Sequence, residues 1–489
     1  MVAIWITLLI FPLVYWITAL LRRKSAKLPP GPKGLPVVGN LPFLTSRPSE
    51  RFREWSKEYG DVMAVQMGYR TMIVISNVDT AKSLFNDDNT TGRDQHFILN
   101  RILNGKGLVP AEGEFWREQR RFALTTLRDL GMGKTWLEDS ILDGINQVKT
   151  IFAGNLNRPF DPSTHLTLAI ANVICALIFG RQYDHSDKEF LHLTSLFEEN
   201  INILNTIAPT QFLPFLKFIP FGKLHTAQNS LLGNFQQLWN FGKALVREHT
   251  EERKSGQEKG DYVDKFLSLL EQQRGSSNTT FTDEQLLASV LNLFAAGTGT
   301  THATIMWGIL LMIIHPDVQQ KVHEEIDAKI GRNEPIRMEH RSLLHYTDAV
   351  TLEIQRFATV APLGVPHNNF DEMTVDGFVI PSRTLINLNI YGLHRNPRYW
   401  THPYDFYPEH FLDATGSVFI PKGFAPFGIG KRACLGESLA KMEIYLIFAN
   451  LMQTFHFSSA PGSCPSTDHC TQTFLRSPLP FDVIMTLRE

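Results

Sequence analysis

One short stretch, Phe427-Gly428-Ile429-Gly430-Lys431-Arg432-Ala433-Cys434-Leu435-Gly436, carries the clearest chemistry in the chain. Two glycines favour a tight turn, a cation stands two residues before a cysteine, and Gly436 leads into a helical pattern from Glu437 to Leu451. Such a loop holds a thiol at the positive end of a helix with backbone N–H groups near the sulfur, which favours a thiolate. A thiolate bordering an apolar interior is a ligand for haem iron. A lone cysteine ahead of a helix is ordinarily structural, and it is the F-G-x-G-x-R-x-C-x-G spacing that argues otherwise.

A second stretch sits inside a long apolar helical pattern. Thr282 to Gln285 has capping-box spacing, and the pattern runs to about Ile314 before His315-Pro316 ends it. Within it lies Ala295-Ala296-Gly297-Thr298-Gly299-Thr300-Thr301. Glycine and threonine are costly there unless a ligand needs close backbone approach, so the pattern predicts a local break. Ala296 and Gly297 would leave room over a haem, and the Thr300 hydroxyl could hydrogen-bond dioxygen and help deliver protons. Trp116 and Arg120 are four apart, and Glu353 and Arg356 three apart, so each pair shares a helix face. The first pair suits one carboxylate, held by an indole N–H and a guanidinium.

These residues need a body to hold them. The chain has 489 residues, 43% hydrophobic and 20% charged, with formal net charge −2 and 34 phenylalanines. Near-neutral charge argues against a nucleic-acid binder, and the phenylalanines suit an interior that encloses a lipophile. Cys175, Cys434, Cys464 and Cys470 are too few and scattered for a disulfide framework, which fits a reducing compartment. With His469, the last two are too little for a metal site, and the segment reads as a loop. Strand patterns Asp61–Met67 and Thr71–Ser76 flank a Gly68-Tyr69-Arg70 turn, and most later segments have helical period.

Val2 to Leu21 carries no charge and is followed by Arg22, Arg23, Lys24 and Lys27. About 20 apolar residues suffice to cross a bilayer, and the basic cluster places the chain beyond it in the cytosol. Sequons at Asn89 and Asn278 would then stay unmodified. The prolines of Leu28-Pro29-Pro30-Gly31-Pro32 read as a stiff hinge. Residues 1–27 are thus expected as an anchor with its basic stop, 28–36 as the hinge and 37–489 as one domain. Pro209 to Phe221 is apolar and proline-broken, and reads as dipping into the membrane.

On the cysteine loop, the Gly-Thr helix, the proline-rich segment and Glu353-x-x-Arg356, the chain resembles the cytochrome P-450 (haem-thiolate monooxygenase) family, in its animal microsomal family-2-like branch. The resemblance covers essentially the whole chain. It implies a mainly α fold with small β-sheets, the haem lying between the long distal helix and the cysteine-loop helix. It implies haem b with Cys434 as axial ligand, O2 as co-substrate, and electrons from NADPH through a flavoprotein reductase, with cytochrome b5 as a second donor. Haem contacts would come from Arg93, Trp116, Arg120, Ala296, Gly297, His367, Phe427, Gly430, Arg432 and Gly436. Substrate contacts would come from Val109, Phe294, Ala295, Ala296, Leu363, Val365 and Leu475, all apolar. Glu353 and Arg356, with His410 in Pro408-Glu409-His410-Phe411, would form a buried network holding the cysteine loop. Arg117, Arg121, Lys422, Lys431 and Lys441 would make a basic surface for the electron donor.

The expected activity is insertion of one oxygen atom into fatty acids, xenobiotics or steroids at the endoplasmic reticulum membrane. One departure stands out: the family usually has an acidic residue just before the threonine, where this chain has Gly299. That departure motivates two further readings, a reductase-independent haem-thiolate isomerase or dehydratase, and a non-catalytic haem-dependent lipid binder.

Overall fold

The computed structural model describes residues 27–131, 135–276, 278–471 and 474–488, so the expected anchor, apart from Lys27, lies outside the described residues. A 32-residue helix, Asp283–Ile314, runs through the centre. It starts where the Thr282 hydroxyl accepts the Gln285 N–H at 3.2 Å and stops at His315. A helix apolar on every side belongs in a core, and Leu286, Ile305, Trp307 and Leu310 of this one are buried. Its apolar length would suffice to cross a membrane, but most of it is enclosed by protein. Among the helices packed on it are Ser163–Phe179, His345–Ala358 and the cysteine-loop helix Glu437–Thr454. The expected break is not seen. The helix continues through Gly297 and Gly299, with the Thr300 hydroxyl donating to the Ala296 carbonyl at 2.8 Å and Thr304 to the Thr300 carbonyl at 2.9 Å. These back-bonds give the hydroxyls partners without unwinding the backbone.

Strands β1 (Val62–Met67) and β2 (Arg70–Ile75) form the expected hairpin, with Gly68 at φ +57° in its turn. β3 (Gly92–Arg93), β4 (His367–Asn368), β5 (Met373–Val375), β6 (Phe378–Ile380) and β7 (Leu385–Leu388) come next, and β8 (Phe455–Ser459) pairs with β9 (Val483–Leu487). One sheet has the order β1-β2-β7-β4-β3, with β2 and β7 parallel. Its far edge matters most for the site, because antiparallel β3 and β4 place Arg93 opposite His367.

The proline-rich segment is fastened to this sheet layer. The Pro30 carbonyl accepts the Ala64 N–H of β1 at 2.9 Å, and the Lys27 carbonyl accepts that of Val379 in β6 at 3.0 Å. A Cβ on Gly31 would lie 1.9 Å from the Ala64 carbonyl oxygen, so the backbone fits there only as glycine.

A buried polar knot lies behind the cysteine loop. Arg356 grips Glu353 with two bonds of 2.6 Å, and its remaining N–H groups reach the carbonyls of His394, Pro403 and Asp405. Both side chains are fully buried. His410 stands 3.4 Å from both Glu353 oxygens, while its Nε2 accepts the His402 N–H at 3.1 Å. An accepting Nε2 leaves Nδ1 as the nitrogen that donates toward Glu353.

Candidate active site

The cysteine loop is shaped by contact with Phe85. Gly430 has φ +86°, and a Cβ on it would lie 2.1 Å from the Phe85 carbonyl oxygen, which accepts the Lys431 N–H at 2.9 Å. Only glycine brings the loop that close. The Cys434 N–H donates to the Phe427 carbonyl at 2.9 Å, closing the loop ahead of the helix. Cys434, Phe427 and Gly436 face an apolar cavity of about 360 Å³, whose opposite wall is the central helix at Ala296, Gly297 and Thr300. The exposed surface of Cys434 faces this cavity, within surrounding protein. Burial is the largest influence on its thiol and raises its pKa; the Gly436 N–H and Arg120 oppose this, and Glu437 adds to it. In the chain by itself burial outweighs the Gly436 N–H and Arg120, so the thiolate depends on what the sulfur binds. A metal cation at the sulfur would supply the missing charge.

One side of the cavity collects cations without matching anions. Arg93 donates to the carbonyls of Val109, Val365 and Pro366, Arg120 to that of Ala433, and Arg432 to those of Thr91 and Ala111. Arg432 stacks 3.8 Å from the Trp116 ring centroid, and its Nη1 is buried with no partner. Glu112 acts on the cluster, but its oxygens already serve the Arg93 N–H and Arg383. Burial, then the neighbouring guanidiniums, pushes Arg432 down to about 7; burial and Arg120 push Arg93 to about 9. Arginine resists deprotonation, so these shifts express the cost of packing cations together without a counter-charge. His367 completes the group, its Nδ1 held by the Thr90 carbonyl at 2.8 Å. A flat apolar group carrying two carboxylates, with a metal facing Cys434, fits this donor set, and haem b is such a group.

Val109, Leu363 and Val365 line the same cavity. Phe294, Ala295 and Leu475 do not: Phe294 is buried against Phe197 at 4.9 Å between centroids, and a Cβ on Gly299 would meet Leu475 at 4.0 Å. For Phe294 and Ala295 helical rotation is the reason, since Asn292, Leu293, Ala296 and Gly297 hold the inward face. Gly430 acts through Phe85 and is not part of the wall. Asn292 and Glu443 are polar lining residues that belong to no motif of the sequence. Each interrupts an apolar helical run, which was the available signal. The Asn292 Oδ1 accepts the N–H groups of Leu108 and Val109, both at 3.0 Å, fastening the 107–109 loop over the cavity.

Four of the surface cations around the cysteine loop are paired locally. Lys422 meets Asp79, Lys431 and Arg117 meet Asp88, and Lys441 meets Glu437. This face is a mosaic of exposed ion pairs, which are individually weak and exchangeable. A group of His249, Asp261 and Asp264 has metal-like spacing elsewhere, but His249 bonds Asp261 at 2.6 Å and Asp264 accepts the N–H groups of Lys259 and Gly260. These bonds tie the helices Gly222–Lys254 and Tyr262–Gln272 to each other and to the loop between them.

A fold with this central helix, and a cysteine loop facing it across an apolar cavity, has known relatives, and the chain belongs to the cytochrome P450 family, whose model matches residues 29–485. The members of this family are haem-thiolate monooxygenases that use haem b, O2 and reductase-supplied electrons. Among individual relatives, the chain is 36% identical over 475 residues to vitamin D(3) 25-hydroxylase of Sus scrofa, spanning 94% of this chain and 93% of the relative. It is 34% identical to cytochrome P450 2D15 of Canis lupus familiaris, with 96% and 94% spanned. It is 35% identical to cytochrome P450 2D6 of Homo sapiens, with 94% of each chain spanned.

Proposed function

We propose that this chain hydroxylates or epoxidises lipophilic small molecules at the endoplasmic reticulum membrane, with Cys434 as the axial ligand of haem b and NADPH electrons arriving through a flavoprotein reductase. The supporting observation is the shared cavity: one thiol, three guanidiniums short of anions and an apolar wall open into a single space. Haem, when bound, supplies the activation of dioxygen and the insertion of one oxygen atom. The chain's own residues do the rest. Arg93, Arg120 and Arg432 would hold the two carboxylates and fix the cofactor's orientation. Ala296 and Gly297 leave space beside the helix, and a Cβ at Gly297 would lie 2.6 Å from Ile174. The Thr300 hydroxyl would leave the Ala296 carbonyl to pass a proton into the cavity. Val109, Leu363 and Val365 would orient the substrate and exclude water.

Residues 1–27 would anchor the chain, and the Pro209–Phe221 segment would meet the bilayer. There, Phe218 is 84% and Phe221 72% exposed, unusual for side chains of that size. The decisive assay is turnover with reductase, NADPH and a lipophilic panel of fatty acids, foreign compounds and steroids, for the parent and Cys434→Ser. Vitamin D(3) belongs on the panel because a relative is named for its hydroxylation. The parent should form oxygenated product only with NADPH and reductase, and Cys434→Ser should lose both product and the thiolate signature of the reduced carbon monoxide complex. Product from a fatty-acid hydroperoxide without NADPH would favour an isomerase instead.

A further inference from the structure

An oxygen-inserting site of this kind must admit protons, and the position ahead of Thr300 holds no acid. A Cβ on Gly299 would meet Ile201 at 3.4 Å and Leu475 at 4.0 Å, both apolar, and Gly299 is not part of the cavity wall. An acid does reach the cavity from the other side. Glu443, two helical turns beyond Cys434 on the cysteine-loop helix, lines it together with Thr300, Thr301, Thr304 and Gln355. Glu443 is 1% exposed, and its Oε1 has no partner; neither has the Oε1 of Gln355, which is 6% exposed. The Thr301 hydroxyl stands beside the Glu443 carboxyl. Burial holds that carboxyl well above its usual range, and only Thr301 opposes the shift, with no charged side chain acting on it from the central helix, the His345–Ala358 helix or its own. An unpaired buried acid costs stability and calls for an explanation.

We propose that Glu443 is the proton donor of this cavity, acting through the Thr301 hydroxyl in place of the carboxylate that Gly299 lacks. The inference rests on the monooxygenase reading. Each oxygen atom inserted consumes one dioxygen, two electrons from the reductase and two protons, and releases one water. Glu443 gives its carboxyl proton to Thr301, which releases its own hydroxyl proton towards Thr300. Solvent water then reprotonates the carboxylate, so the acid is a relay and is not consumed. A neutral acid with one free oxygen, beside a hydroxyl on the neighbouring helix, has the chemistry this needs.

The test compares the haem-loaded parent with Glu443→Gln and Glu443→Asp. In Glu443→Gln the thiolate signature of the carbon monoxide complex should persist, while product per NADPH falls by about tenfold or more and hydrogen peroxide rises. Glu443→Asp should recover part of the product. A readout without turnover accompanies it. An acid whose folded pKa is raised destabilises the fold as pH climbs above the ordinary carboxylate range, so the thermal midpoint of Glu443→Gln should gain on the parent as pH rises. The parent should also show a protonated-carboxyl infrared band at neutral pH that shifts in deuterated water and is missing from Glu443→Gln. Unchanged coupling in Glu443→Gln, a missing band in the parent, or loss of the thiolate signature in Glu443→Gln would each overturn the proposal. If the parent itself forms no product while the band is present, the monooxygenase reading fails and takes the relay with it.

Discussion

Arg432 shows how much one side chain reveals about an absent partner. Its guanidinium is buried, stacked on Trp116 and pushed down to about 7, yet one of its nitrogens bonds nothing. Such a group weakens the protein alone and strengthens it with a bound anion. Arg432→Gln should therefore leave the haem-free chain as stable as before or more so, while haem passes to an acceptor protein roughly tenfold to a hundredfold faster, as loss of a charge-assisted hydrogen bond predicts. An unchanged transfer rate would remove Arg432 from the carboxylate site. Its place was legible because it stands two residues before the cysteine. Glu443 was not, since an acid within Leu439–Met452 reads as a helix-surface residue until the packing shows it has no surface.

At the scale of elements, the sequence anticipated what depends on local rules. The Thr282 cap, the stop at His315-Pro316 and the β1–β2 hairpin all derive from spacing and turn chemistry. Two features depended on tertiary context: the central helix continues through its glycines, and helical rotation sends Phe294 away from the cavity. The Pro209–Phe221 segment is a third element with its own consequence. Two short 3-10 turns, Ala208–Gln211 and Pro214–Phe218, hold Phe215, Phe218 and Phe221 outward, while the Phe212 carbonyl accepts the Tyr69 N–H of the hairpin turn. If this edge meets lipid, a chain lacking residues 1–27 should still bind neutral phospholipid vesicles. Phe218→Ser with Phe221→Ser should weaken that binding by roughly tenfold or more, since each phenylalanine contributes about 1.5–3 kcal/mol when buried. Equal binding by both proteins would place the contact elsewhere.

For the whole molecule, buried titratable groups bracket the pH range of stability. His394 is fully buried and held well below the usual histidine range, by burial first and then by Arg356 and Arg395; its Nε2 accepts the Ala425 N–H at 3.0 Å. Burial likewise takes His323 down to about 4. The folded chain keeps both neutral while the unfolded chain protonates them below about pH 6.5, so stability falls as pH drops from there. His394 alone contributes a limiting slope of about 1.4 kcal/mol per pH unit. The unfolding midpoint should therefore be lower at about pH 5 than at about pH 7. A flat profile between those values would mean that these histidines are charged in the fold.

The knot around Arg356 also bears on time. Its guanidinium joins carbonyls 38, 47 and 49 residues away, and Glu353 meets His410 across 57. Closing loops of that length costs chain entropy that no local contact repays, so one side chain becomes the closure point for the whole 394–411 stretch. That stretch leads directly to the loop carrying Cys434. Loss of that one anchor would therefore free the stretch as a unit, and the cysteine wall of the cavity with it.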